Sequence, residues 1–199
     1  MSGETSSVDY RIDPGASRFT VRAFAGGMLS GMGHNPTFLA RDIGGQVTFD
    51  PARPDAASLR FRVGAASLAL ADSVSDRDRR EIERVTSQEV LESGTYPEIV
   101  YQATRITVAG TAAPLQATVD GVVTLHGVSR PQQVVVRVYP DSTMLRAQGE
   151  VALRQSDYRI DPVSVAGGML KVKYEVKLTF DIVARSGSPC QGLDPQAQG

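Results

Sequence analysis

Two histidines, one cysteine and scattered carboxylates are the main acid–base, nucleophilic or metal chemistry that this chain of 199 residues offers. His126 lies in the run Leu125-His126-Gly127-Val128-Ser129-Arg130-Pro131, with no acid or nucleophile in the adjoining sequence. Its expected role is structural, an imidazole hydrogen-bonding backbone at a turn. His34, in Gly31-Met32-Gly33-His34-Asn35-Pro36, reads as a loop histidine, with contact to a ligand head group as the sharper alternative. A single Cys190 cannot form an internal disulfide, and with two histidines it does not make a Cys/His zinc site. No metal site is expected. Asp76 and Asp78 fall in a charged segment that gives no sign of burial, so an acid/base pair is weakly supported. Nucleophile elbows, P-loops, dinucleotide-binding glycine patterns and His-Glu-x-x-His helices are absent from the sequence. No catalytic residue is assigned, and the expected class is a non-enzymatic protein.

The elements that would position these residues are mostly strands. Val172–Ile182 alternates strictly: Val172, Tyr174, Val176, Leu178, Phe180 and Ile182 on one face, and Lys173, Glu175, Lys177, Thr179 and Asp181 on the other. That is the pattern of an antiparallel strand with one face in water. At about 3.4 Å per residue it would span roughly 35 Å, long for an ordinary strand and suited to a barrel. Shorter alternating runs follow Arg18–Ala23, Gln46–Phe49, Ser58–Val63 and Ile99–Ala103. Leu115–Leu125 and Gln133–Val138 flank the His126-Gly127 turn, and Leu145–Leu153 puts Ala147, Gly149, Val151 and Leu153 on one side. About eight strands are enough to close a small barrel around side chains or one slender ligand. Small inward candidates (Ala23, Ala103, Ala147, Gly149) would leave room inside.

Ser75–Glu92 breaks the period. It is highly charged, with Ile82, Val85 and Leu91 at helical offsets. Ser75 followed by Asp78, and Thr86 followed by Glu89, resemble capping boxes, and Gly94 is a plausible stop. One or two short helices are expected, their charges a solvated face. Two segments echo each other: Tyr10–Pro14 recurs at Tyr158–Pro162, and Ala25–Leu29 recurs at Ala166–Leu170. Either this is coincidence among turn residues, or both Gly-Gly-Met-Leu turns sit at one barrel end. In the second case Met28, Leu29, Met169 and Leu170, with His34, would form a pliable mouth.

The net charge of −1, from 21 basic and 22 acidic residues, gives no reason to expect nucleic acid or an acidic membrane surface as partner. Hydrophobic residues make up 41%, enough for a core. Residues 1–8 and 186–199 read as flexible termini around a single barrel domain at 9–185. Neither a signal-peptide pattern nor an apolar run of membrane-spanning length occurs, so the expected compartment is the cytoplasm, or the periplasm if a leader has been removed.

Five segments in order resemble the YceI-like family of bacterial lipocalin-like barrels: Tyr10–Val21, Gly44–Pro51, Glu92–Ile99, Leu125–Pro131 and Leu153–Tyr158. The similarity covers about residues 9–184. It implies an elongated antiparallel barrel with a short helical insertion, a tunnel for a long isoprenoid or acyl chain, and often a homodimer. The ligand would be an isoprenoid, an isoprenoid quinone or a fatty acid, and no cofactor is implied. The expected lining is Phe19, Val21, Phe49, Phe61, Val63, Tyr101, Val123, Leu125, Val136, Val151, Tyr174, Val176, Leu178 and Phe180. Two other readings stay open: an enzyme acting on a small apolar substrate in the same cavity, with His34 or Tyr101 as acid/base, and an interaction module with a filled barrel.

Overall fold

The computed structural model describes residues 7–26, 35–50, 52–110, 112–141, 143–161, 164–165 and 170–187, with 25–26, 54, 164–165 and 170–172 described as backbone only. Strands follow in chain order: β1 (Val8–Ile12), β2 (Arg18–Gly26), β3 (Thr37–Ala40), β4 (Ile43–Phe49), β5 (Ser58–Gly64) and β6 (Leu68–Leu70). Helix α1 (Asp76–Val85) precedes β7 (Glu98–Ala109), β8 (Leu115–Leu125), β9 (Val128–Pro140), β10 (Met144–Arg154), the short β11 (Ser164–Val165) and β12 (Leu170–Ser186).

Antiparallel pairing runs β1–β4–β5–β7–β8–β9–β10–β12 and returns from β12 to β1, closing an eight-stranded barrel. The remaining pairs, β12–β2–β3–β6, extend the same wall. β1 and β2 both lie along β12, which makes them one rib broken at Asp13–Ser17. β3 and β4 are likewise broken at Arg41–Asp42, and β5 and β6 at Ala65–Ser67. Hydrogen bonds hold the breaks together: Gly64 N–H donates to Asp42 O at 2.9 Å and Arg41 N–H to Ser67 O at 3.1 Å. Asp13 Oδ1 accepts from Gly15 N at 3.0 Å and Ala16 N at 3.2 Å, and Oδ2 accepts from Arg185 Nε at 2.8 Å. Arg185 first, then the backbone donors, holds the Asp13 carboxyl below its usual range.

The His126-Gly127 turn joins β8 and β9 as expected, with φ of 51° and 70°. Two successive left-handed residues suit the two-residue hairpin turn that follows strand twist. Gly127 is also required for space, because a Cβ there would lie 2.7 Å from the Tyr96 ring.

Ser75 caps α1 as its sequence suggests, its Oγ accepting from Asp78 N at 3.1 Å. The second capping box does not form: Thr86 continues the helix into a wider π turn at Thr86–Val90, and Glu89 instead pairs with Arg84 at 2.9 Å. Gly94 is not the stop either. Glu92 takes the left-handed conformation, φ 44°, and its carbonyl accepts from Tyr96 N at 2.9 Å. The helix serves the barrel by covering the edge strand β6. Leu70 N–H donates to Glu83 at 2.8 Å, and Arg79 donates to the carbonyls of Leu70 and Asp72. Leu91, Leu125, Leu153, Tyr158 and Ile160 pack into one buried cluster at this end of the barrel. The opposite face of the wall carries cross-strand ion pairs such as Arg146–Asp181 at 2.6 Å and Lys177–Glu150 at 2.7 Å.

Candidate functional site

The barrel encloses a cavity with room for the centre of a water-sized sphere over about 200 Å³. A single water needs only about 10–15 Å³ on that measure, so the interior is not closed by packing. Among the described residues 29 line the wall, drawn from every rib of the barrel, and all but Tyr101 and Gln132 are wholly apolar. Among the described residues no charged side chain reaches it. This follows from period two: in β8 the residues Leu115, Ala117, Val119 and Val123 face in, while Gln116, Thr118, Asp120 and Thr124 alternate with them.

Two glycines let rings lie flat against the wall. Gly149 pairs with Phe180, and a Cβ on it would meet the Phe180 ring at 2.6 Å. Gly121 takes Tyr101 in the same way, its Cβ position 2.5 Å from Tyr101 Cζ. Rings over glycine fill what would be holes in a β-surface. Phe19 and Phe61 meet across neighbouring ribs with centroids 5.4 Å apart.

Tyr101 is the one ionisable group among the described residues of the wall. Its hydroxyl donates to Val119 O at 3.0 Å and Gln132 O at 3.1 Å. Burial, and secondarily the Asp120 carboxylate, pushes the phenol up to about 12. It stays protonated near neutral pH and is bound to carbonyls, which suits a wall-fixing donor and not a base.

Of the fourteen residues expected to line the interior, Phe19, Phe49, Phe61, Val63, Tyr101, Val123, Val136, Val151, Leu178 and Phe180 do face the cavity. Four do not. Tyr174 is 47% exposed, because β12 shifts register against β2 between Val172 and Val176 and the alternation breaks there. Leu125 and Val176 belong to the cluster that plugs the helix end, not to the lumen. Val21 is half-buried and outside the lining. Conversely, Ile106 and Val108 line the cavity although Tyr101 and Ala103 set the opposite parity; the bulge at Thr104 between Ala103 and Arg105 changes it. Gln132 was hidden by its polarity.

Met28, Leu29, His34 and Met169, proposed for the mouth, lie outside the described residues, and Leu170 is described only as a strand position paired with Val165. Of the small inward candidates, Ala147 lines the cavity, Ala23 is buried, Ala103 packs against the core and Gly149 lies beneath Phe180.

His126 acts on backbone. Its Nδ1 is 3.3 Å from Tyr158 O, which requires the proton on Nδ1. The ring packs on Tyr96 with centroids 4.6 Å apart. Nε2 is 3.4 Å from Glu92 Oε1, within ion-pair reach but outside hydrogen-bond geometry, and is otherwise buried without a partner. His126 thereby ties three segments of the helix end together. Asp76 and Asp78 are exposed, and Asp78 is engaged by the Ser75 cap. Among the described residues, no group of three His, Cys, Asp or Glu side chains could hold a metal, and no helix is long and apolar enough to cross a membrane.

Residues 10–184 match the family model described as the YceI-like domain. The chain belongs to the YceI-like family. A UPF0312 protein of Pseudomonas fluorescens is 30% identical over 139 residues, covering 68% of this chain and 64% of the relative. One from Pseudomonas savastanoi pv. phaseolicola is 29% identical over 133 residues, 65% of this chain and 62% of the relative. The YceI-like chain thus spans less than two thirds of the length of these curated relatives. Among solved structures, BcnA of Burkholderia cenocepacia superposes with TM-score 0.68 at 20% identity, covering 86% of this chain and 98% of that one. A polyisoprenoid binding domain from Saccharophagus degradans superposes with TM-score 0.61 at 16% identity, over 90% of this chain and 99% of that one. At these identities the likeness is one of fold.

Proposed function

We propose that this YceI-like protein is a non-enzymatic binding or carrier protein that holds a long apolar chain (a polyisoprenoid, a quinone-like tail or a fatty acyl chain) in the barrel interior. One observation carries the reading: a closed barrel with open internal space whose wall, among the described residues, is apolar except for one glutamine, Gln132, and a phenol already bonded to two carbonyls. Such a wall offers nothing to a reacting group and a dry surface to a hydrocarbon. Each methylene taken out of water contributes about 0.8 kcal/mol, so ten give roughly 8 kcal/mol before ordering costs, a micromolar scale. The fold shared with the Saccharophagus degradans polyisoprenoid binding domain supports the same ligand class.

Native mass spectrometry of the purified protein, followed by extraction and identification of the bound lipid, tests this. The expected result is a mass increment that extraction removes. Leu178→Glu, which puts a carboxylate into the apolar wall, should abolish retention with the fold preserved by circular dichroism. Absence of lipid in the native protein, together with no uptake of added apolar chains, would refute the proposal.

A further inference from the structure

The barrel closes as a ring, but one seam, between β9 and β10, is paired over only part of its height. β9 pairs with β8 from Val128 to Val138, and β10 pairs with β12 from Met144 to Arg154. β9 and β10 pair with each other only from Pro140–Leu145 to Val136–Gly149. Beyond that point, towards the helix end, the two strands part.

One residue of β9 disfavours pairing across this parting. Alternate residues of an antiparallel strand turn their backbone groups to opposite neighbours. Counting from the pair Leu125–Val128 at the turn, Ser129, Pro131, Gln133 and Val135 turn theirs towards β10. Pro131 has no N–H to give. The missing donor lies in the unpaired stretch, five residues beyond the last pair at Val136–Gly149, where it removes one possible rung.

The parting is open from outside to inside. A pocket there is lined by outward residues Pro131 and Arg154 and also by Gln132 and Leu153, which line the lumen as well. Residues of both faces share this pocket where β9 and β10 are unpaired, near the start of β9 and the end of β10. Arg130 stands on its rim, its Nε donating to Asp157 O at 3.1 Å. Among the described residues neither Arg130 nor Arg154 is in an ion pair, and one carboxylate, that of Asp157, shares the pocket with them. Tyr158, only 2% exposed, lines the same pocket.

We infer that this lateral gap between β9 and β10 is a head-group site for an acidic amphiphile: a carboxylate or phosphate held by Arg130 and Arg154 at the rim, its apolar tail passing between Gln132 and Leu153 into the lumen. The inference rests on the apolar-chain reading of the lumen and adds to it the charge of the head and the place where it sits. The guanidiniums supply fork-shaped donors that fit either oxyanion.

The test titrates delipidated protein with palmitate, with hexadecanol (the same chain with a neutral head) and with inorganic phosphate alone, for the native chain and for Arg130→Gln/Arg154→Gln. Both arginines are at the surface, so the fold should survive the change. Palmitate should bind the variant roughly 10- to 100-fold more weakly, the range for losing a charge-assisted hydrogen bond. Hexadecanol should be unchanged, and phosphate alone should not bind. Unchanged palmitate affinity, equal losses for acid and alcohol, or binding of phosphate without a tail would each overturn the head-group site. Failure of the native chain to bind either amphiphile would overturn the lumen reading itself, and this inference with it.

Discussion

A lumen of fixed length should make affinity depend on chain length up to a limit, and a ring placed at its far end should move that limit. In β8 the lining runs from Leu115 to Val123. Eight steps of about 3.4 Å give roughly 27 Å along the strand, and a tilt of about 40° leaves about 21 Å along the barrel axis. An extended hydrocarbon advances about 1.25 Å per carbon for bonds near 1.5 Å, so about 17 carbons fill the lumen. Up to that length each methylene should tighten binding about fourfold, from ~0.8 kcal/mol; beyond it affinity should level off. Ala147 lines the lumen and pairs with Val138 and Ile182, near the end away from α1. Ala147→Phe would place a ring there that takes up about 5 Å. That is the length of about four carbons, which leaves room for about 13, so a chain of 16 carbons should lose roughly 2.4 kcal/mol, about 60-fold, while a chain of ten is nearly unaffected. The assay is calorimetric or fluorescence-displacement titration with straight-chain alcohols of graded length, whose neutral heads keep the rim charges out of the comparison. A thermal melt checks that the variant is folded. An affinity that does not vary with length, or a variant that weakens short and long chains alike, would refute the axial-lumen geometry.

Other expectations follow from single contacts. Gly121→Ala would bring a Cβ to 2.5 Å from Tyr101 Cζ and 2.7 Å from Gln102 O, so it should cost about 1–3 kcal/mol in urea denaturation; a change under about 0.5 kcal/mol would mean the ring moves freely. Tyr101→Phe removes the donor shared by the Val119 and Gln132 carbonyls and should cost about 1 kcal/mol of stability while lipid retention persists; lost retention with a native melt would give the hydroxyl a role in binding. Asp13→Asn should be less stable than the native chain at neutral pH. Because the folded carboxyl titrates below its ordinary 3.8, its contribution is present above that value and disappears as pH falls through the depressed one. The two melting curves should therefore converge in strong acid, and a gap that stays constant with pH would count against the Arg185 and backbone contacts as its source.

Much of the barrel was legible in residue order. Strict alternation in Leu115–Leu125 and Leu145–Leu153 states which side chains share a face, since a strand reverses its side chains at every residue. The Ser75 cap and the His126-Gly127 turn could be read because their physics is local, settled within a few neighbours.

What the tertiary structure decided concerns partners far apart in the chain. Tyr174 has the right parity for the lumen and is exposed, because the register between β12 and β2 slips beside it. Ile106 and Val108 face inward because β7 gains a residue against β8 at Thr104. Leu125 plugs an end because Leu91, Tyr158 and Ile160, from separate segments, converge on it. Tyr101 is fixed by carbonyls of two other strands, and the gap exists because β9 keeps one neighbour and loses the other. Periodicity fixes the face of a side chain, which is a property of one strand. Register, closure and the points where a ladder ends depend on two strands at once, and only their meeting in space settles them.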